Sequence, residues 1–168
     1  DTDDEFCESV CVGSSGTFTI DSDGNGDFTS FGAAISSLQG CGIAGNVTFE
    51  VEAGTYTEQV VIPELNGAGP NARVTFVNAG SGQVLITNSG TSTSNMNTVL
   101  FNGADYVTFD GIDVEAGGSS YAIAVMFTNG SNYNEIKNGS ITTSTTTSTS
   151  SYVQTLCFSA STTSPFSY

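Results

Sequence analysis

Four stretches of the chain read NVTFEV (46–51), RVTFVN (73–78), YVTFDG (106–111) and YNEIKNG (133–139). Aligned on Val47, Val74, Val107 and Asn134, they recur at intervals of 27, 33 and 27 residues. In each, apolar and polar residues alternate, the period of a strand with one buried face. A second overlay extends the repeat. VLFNGADYVTFDGI (99–112) lies on VMFTNGSNYNEIKNGSI (125–141), matching Phe101 with Phe127, Tyr106 with Tyr133 and Phe109 with Ile136. A unit of this length with two or three short strands is too small for a propeller blade. It fits one lap of a parallel β-helix, whose inward residues stack on the laps above and below. A sandwich of antiparallel hairpins is the competitor. Two-residue hairpin turns are scarce here, and the repeat has the length of a lap rather than of a strand pair. The pattern predicts an all-β parallel β-helix of four to five coils.

Outward from the repeat, GTFTI (16–20) reads as a first strand, and QVVIP (59–63), VLIT (84–87) and YAIAVMFTNG (121–130) as further ones. FTSFGAAISSLQG (28–40) is the one helical pattern, with apolar residues at 31, 34, 35 and 38. Thr29 or Ser30 is its expected N-cap and Gly40 its C-cap. Residues 1–15 form an acidic arm with two cysteines, and 16–168 the β-helix domain. Within that domain, 142–151 is a Ser/Thr-rich loop or outer strand, and 152–168 a last strand and tail.

The 168 residues carry 17 acids against two bases, a formal net charge of -15. Nothing neutralises phosphates, which argues against nucleic acid, and an anionic membrane surface would repel the chain. No apolar run reaches the ~18 residues of a membrane span. Only 11% of residues are charged, so the surface is largely Ser, Thr, Asn and Gly. That suits an extracellular setting. The start, without Met or a signal-like segment, suggests a processed chain or a piece of a longer one.

Four cysteines, Cys7, Cys11, Cys41 and Cys157, occur without any histidine. A zinc site would need all four thiolates, and only Cys7 and Cys11 are close, so two disulfides are expected. Three pairings are open; Cys7 or Cys11 with Cys41 is favoured because both flank the N-terminal region. In DSDGNGDF (21–28), Asp21, Asp23, Asn25 and Asp27 take alternate positions of a calcium loop. Gly32 stands where the closing glutamate belongs, so a glycine-dependent turn explains the segment as well, with calcium as an added ligand at most.

Asp110, Asp113 and Glu115 form an acid cluster that could serve glycoside chemistry or, more simply, lie outward on a strand whose Ile112 and Val114 point in. With Tyr106, Tyr121 and Tyr133 they form a candidate glycan face. A serine nucleophile would lack a histidine base. Sequons occur at Asn46, Asn129 and Asn138.

DSDGNGDFTSFGAAI followed by GTYTEQV, with Gly54, Tyr56, Glu58 and Val60, resembles the opening of right-handed parallel β-helix proteins of the pectin methylesterase type. It is also similar to β-helix domains of secreted bacterial surface proteins. The likeness covers residues 16–141 and implies a right-handed single-stranded solenoid whose helix caps the first coil. The esterase machinery is not matched. Ser120 and Tyr121 stand where the family's glutamine belongs, the next coil reads NEIKNGSITT, and the lone Arg73 comes rungs too early. No catalytic residue carries over. The expectation is a non-enzymatic extracellular structural protein, a filament or surface subunit or adhesin module, with a pectinesterase-like or polysaccharide-binding module as the alternative. No C-terminal counterpart of the capping helix is apparent, so head-to-tail self-association is expected through 1–15 and 152–168, with no nucleic acid partner, no membrane insertion and no obligatory cofactor.

Overall fold

The computed structural model describes residues 11–144, 150 and 152–163. The chain is a parallel β-solenoid. A first strand, β1 (Ser14–Ile20), leads to a single helix, α1 (Phe31–Gln39). Four laps of three strands follow. They are β2 (Ile43–Val51), β3 (Gly54–Thr57) and β4 (Val60–Pro63); β5 (Val74–Asn78), β6 (Val84–Asn88) and β7 (Asn97–Asn102); β8 (Val107–Asp110), β9 (Ile112–Ala116) and β10 (Ala122–Thr128); and β11 (Glu135–Lys137), β12 (Ile141–Thr143) and β13 (Val153–Phe158). Corresponding strands stack into three sheets, ordered β1-β2-β5-β8-β11, β3-β6-β9-β12 and β4-β7-β10-β13. Every strand pairing in them is parallel. The repeat read from the sequence is the lap, and five rungs stand in the first sheet.

Register follows from what points inward. Phe18, Phe49, Phe76, Phe109 and Ile136 are successive partners. The Phe49, Phe76 and Phe109 rings stack at 4.9 and 5.0 Å. Shifting one strand by a residue would turn its whole inward set to solvent, so this column pins the pairing. A parallel column holds Ile62, Phe101, Phe127 and Phe158 in the third sheet. The 33-residue lap takes up its extra length at two corners, 79–83 and 89–96, and in the second Asn95 Oδ1 accepts from Thr91 N and Ser92 N.

Helix α1 closes the N-terminal end. Ser30 is the N-cap, extended at φ -155°, its Oγ accepting from Ala33 N at 3.1 Å. Phe31, Ala34, Ile35 and Leu38 are buried, and the Phe31 ring lies 5.1 Å from Tyr56 and 5.4 Å from Phe76. The next lap holds the helix by its end: Glu58 Oε1 and Oε2 accept from Phe31 N and Gly32 N, both at 2.9 Å. Those are two of the donors a helix start leaves free. Tyr56 Oη donates to Glu52 O at 2.9 Å. The motif residues Tyr56 and Glu58 are thus parts of a cap.

Gly40 is the C-cap, as expected, with a right-handed φ of -67°, and the left-handed turn follows at Gly42, φ +71°. A Cβ on Gly42 would collide with Asn66 O, so the glycine is required where the loop crosses the next lap. Strand β2 starts at Ile43, ahead of the expected Val47, because its early residues run alongside β1. Cys11 and Cys41 form a disulfide with a Cα–Cα distance of 5.3 Å, one of the pairings left open. The expected second bridge is absent among the described residues: Cys157 is a buried free thiol, and Cys7 lies outside them.

Phe76→Ala, in the middle of the column, is expected to cost about 3–5 kcal/mol in urea unfolding. Phe158→Ala, at the exposed end of the third-sheet column, should cost under about 1 kcal/mol. Glu58→Ala should cost about 1 kcal/mol through loss of the cap. Equal losses at Phe76 and Phe158 would contradict an open terminal rung.

Candidate assembly interface

The two ends of the solenoid are built differently. At the first end the loop 21–28 turns back over β1. Asp27 Oδ2 accepts from Thr19 N at 2.8 Å and Thr19 Oγ1 at 2.9 Å, Phe28 N donates to Thr19 O, and Asp21 N to Phe28 O. Phe28 bridges Ile20 in parallel, and its ring packs at 5.8 Å on Phe49. The edge of β1 is therefore occupied at Thr19 and Ile20 by the chain itself, a common defence against stray strand addition.

At the other end β11, β12 and β13 are the last strands of their sheets. The inward columns stop in the open. Phe158 stacks on Phe127 at 5.1 Å and is 73% exposed, and Leu156, in register with Val125, is 45% exposed. Beside them is a cleft of about 330 Å³ lined in part by Phe127, Thr128, Ser131 and Phe158. Thr128 is buried there, and its Oγ1 has no hydrogen-bond partner among the described residues. Charge vanishes in the same direction. Twelve of the 17 acids precede residue 65, the other five lie between Asp105 and Glu135, and no charged side chain follows Lys137. Depletion of charge with exposed aromatic surface is the composition of an interface centre.

Residues singled out from the sequence distribute as follows. In the 21–28 loop, Asp21 Oδ1 accepts from Asp23 N at 2.8 Å and Oδ2 from Asn25 Nδ2 at 3.3 Å. Among the described residues no three carboxylates or thiolates gather as a metal set. Hydrogen bonds from Thr19 hold the Asp27 carboxyl below its usual range. Tyr106 and Tyr133 come together, stacked at 4.7 Å, both in the left-handed region at φ +57° and +55°. Arg73 braces them: its guanidinium lies 5.7 Å from the Tyr106 ring centre and donates to Thr108 Oγ1 and Tyr133 O. Tyr121 is elsewhere, stacked on Tyr152 at 5.5 Å beside the cluster of Met96, Leu100, Ile123, Met126 and Cys157. Burial there pushes the Cys157 thiol up.

The three acids are engaged separately. Asp110 accepts from Asn138 Nδ2 at 2.7 Å and pairs with Lys137 at 3.6 Å. Asp113 accepts from Gln83 Nε2 and Ser140 N, both at 2.7 Å. Glu115 sits outward between buried Val114 and Ala116. Sequon residues Asn46, Asn129 and Asn138 are exposed. Asn46 Oδ1 accepts from Arg73 N, and Asn129 Nδ2 donates to Asn102 Oδ1. Leu156 and Phe158 were not singled out individually; their match to Val125 and Phe127 one lap earlier was the available signal.

No protein-family model matches the chain, and no curated protein matches it significantly. What the structure establishes is the class: a parallel β-solenoid with a helix at one end and β11, β12 and β13 as its outermost described strands at the other.

Hydrogen bonds, the one from Gln83 first, hold the Asp113 carboxyl below its usual range. A depressed carboxyl stabilises the fold above its unfolded value, near ~4, and that contribution is lost as pH falls through the folded value. Asp113→Ala should be less stable by about 1 kcal/mol at neutral pH. The difference from the parent should shrink below about pH 4 in thermal melts across pH; a gap independent of pH would contradict the assignment.

Proposed function

We propose that this chain is a non-enzymatic extracellular structural protein, a surface or filament subunit or adhesin module, that associates through its C-terminal coil. The observation that carries the reading is the last coil, uncharged after Lys137, with Leu156 and Phe158 exposed and β11, β12 and β13 each the outermost strand of its sheet among the described residues. A strand edge of this kind is a template for another strand. The Cys11–Cys41 bridge supports an oxidising compartment. The lack of any histidine, and the absence of the esterase family's residues from their positions, support a structural over a catalytic role. The likeness to pectin methylesterase-type and bacterial surface β-helices enters here as a likeness of opening motif.

A second reading is a platform for neutral glycans. It rests on the stacked Tyr106–Tyr133 pair, whose outer ring, Tyr133, is 67% exposed. Left-handed backbone at two bulky residues in successive laps is strain of the sort that collects at binding sites.

Sedimentation and negative-stain microscopy of the purified chain decide between them. Concentration-dependent assembly that Phe158→Asp abolishes and Tyr133→Ala leaves intact is the expected result. A monomer at every concentration that binds neutral oligosaccharides, and loses them on Tyr133→Ala, would replace the first reading by the second.

A further inference from the structure

We infer that the C-terminal coil takes a second copy of this same chain end to end across a two-fold axis, β13 against its own mate in antiparallel. The inference rests on the reading of this coil as the assembly surface and names its occupant and geometry.

Three observations lead there. First, a head-to-tail contact needs a free edge at the other end, parallel to the last coil. There Thr19, Asp21 and Phe28 already bond one another across the edge of β1, and helix α1 packs on β4, the strand at which the sheet of β13 begins. A two-fold contact asks nothing of that end, because the same patch serves both copies.

Second, a two-fold contact sets a surface against its own copy, so any charge near the axis meets its like. On a chain of net charge -15, most of the surface is barred from such contact. The stretch after Lys137, which contains β12 and β13, carries no charge at all.

Third, β13 is the outermost strand of a four-stranded sheet. Antiparallel pairing with its mate would join four strands to four in one continuous eight-stranded sheet. Leu156 and Phe158 would be covered, along with the cleft where Thr128 Oγ1 lacks a partner among the described residues. Such a contact closes on itself at two copies, whereas head-to-tail stacking runs on, so among the proposed roles it favours a surface subunit or adhesin module over a filament subunit.

Leu156 is next to the middle of β13, and so lies near the axis in any register that keeps most of the strand paired. This supplies the test. Sedimentation velocity of the parent chain should show a monomer–dimer equilibrium and nothing larger. Leu156→Asp and Leu156→Lys should each lose the dimer, with circular dichroism unchanged. An equimolar mixture of the two should regain it, since only a two-fold contact brings position 156 beside itself. Thr17→Asp, on the exposed opposite end, should leave the dimer intact. Open-ended oligomers broken by both Thr17→Asp and Leu156→Asp would overturn the two-fold while leaving assembly standing. Two folded variants that stay monomeric when mixed would also overturn it. A parent chain that is monomeric throughout would remove both the two-fold and the assembly reading.

Discussion

The structure depends on one column of side chains. Phe18, Phe49, Phe76 and Phe109 occupy the same position on successive rungs of the first sheet, with ring centres near van der Waals distance along most of it. Identical residues at identical positions leave each strand one register in which its inward set meets its neighbour's. The length of the lap, the parallel pairing and the tolerance of the 89–96 excursion all follow from keeping that column continuous. The same demand makes the ends the difficult places, because a column must stop somewhere and its last members have a partner on one side only.

The two ends answer that demand unequally. At the start, Phe28 folds over Phe18 and Phe49, and Phe31 reaches inward to within 6.1 Å of Phe109. Glu58, from the following lap, anchors the helix that carries Phe31. The first rung is thereby finished in aromatic rings and satisfied hydrogen bonds. At the far end Ile136, Ile141 and Val153 are only partly buried against the core, and Leu156 and Phe158 remain exposed. The charge gradient runs the same way, from the acid-rich first third to an uncharged finish. An acidic protein held apart from its copies over most of its surface keeps one patch on which approach costs little electrostatically.

Much of this was legible before any coordinates. The Val47, Val74 and Val107 spacing gave the lap, because inward residues of a solenoid must recur once per turn. The apolar residues of 31–38 gave the helix. The role of Glu58 was not, because it bonds backbone 26 and 27 residues away and no local pattern announces such a contact. The DSDGNGDF loop was ambiguous for a related reason. Alternating acids and glycines look alike whether they face an ion or a backbone, and only the coordinates show that Asp27 turns to Thr19. The candidate glycan face divided for a topological reason. Tyr121 follows two sheet corners after Tyr106, so the lap carries it to a different side of the solenoid.

The 27-residue interval between Val107 and Asn134 has a consequence for how such a chain can change its length. Each lap touches only the laps on either side, so stability accumulates by neighbours and not through a single centre. A tandem copy of 107–133 would keep the seam that joins β8 to β11, β9 to β12 and β10 to β13, and would add one new seam in which β8, β9 and β10 each stack on their own copy. Height along the axis is therefore a variable that duplication can adjust by one storey at a time, with the helical lid and the terminal coil carried along unchanged.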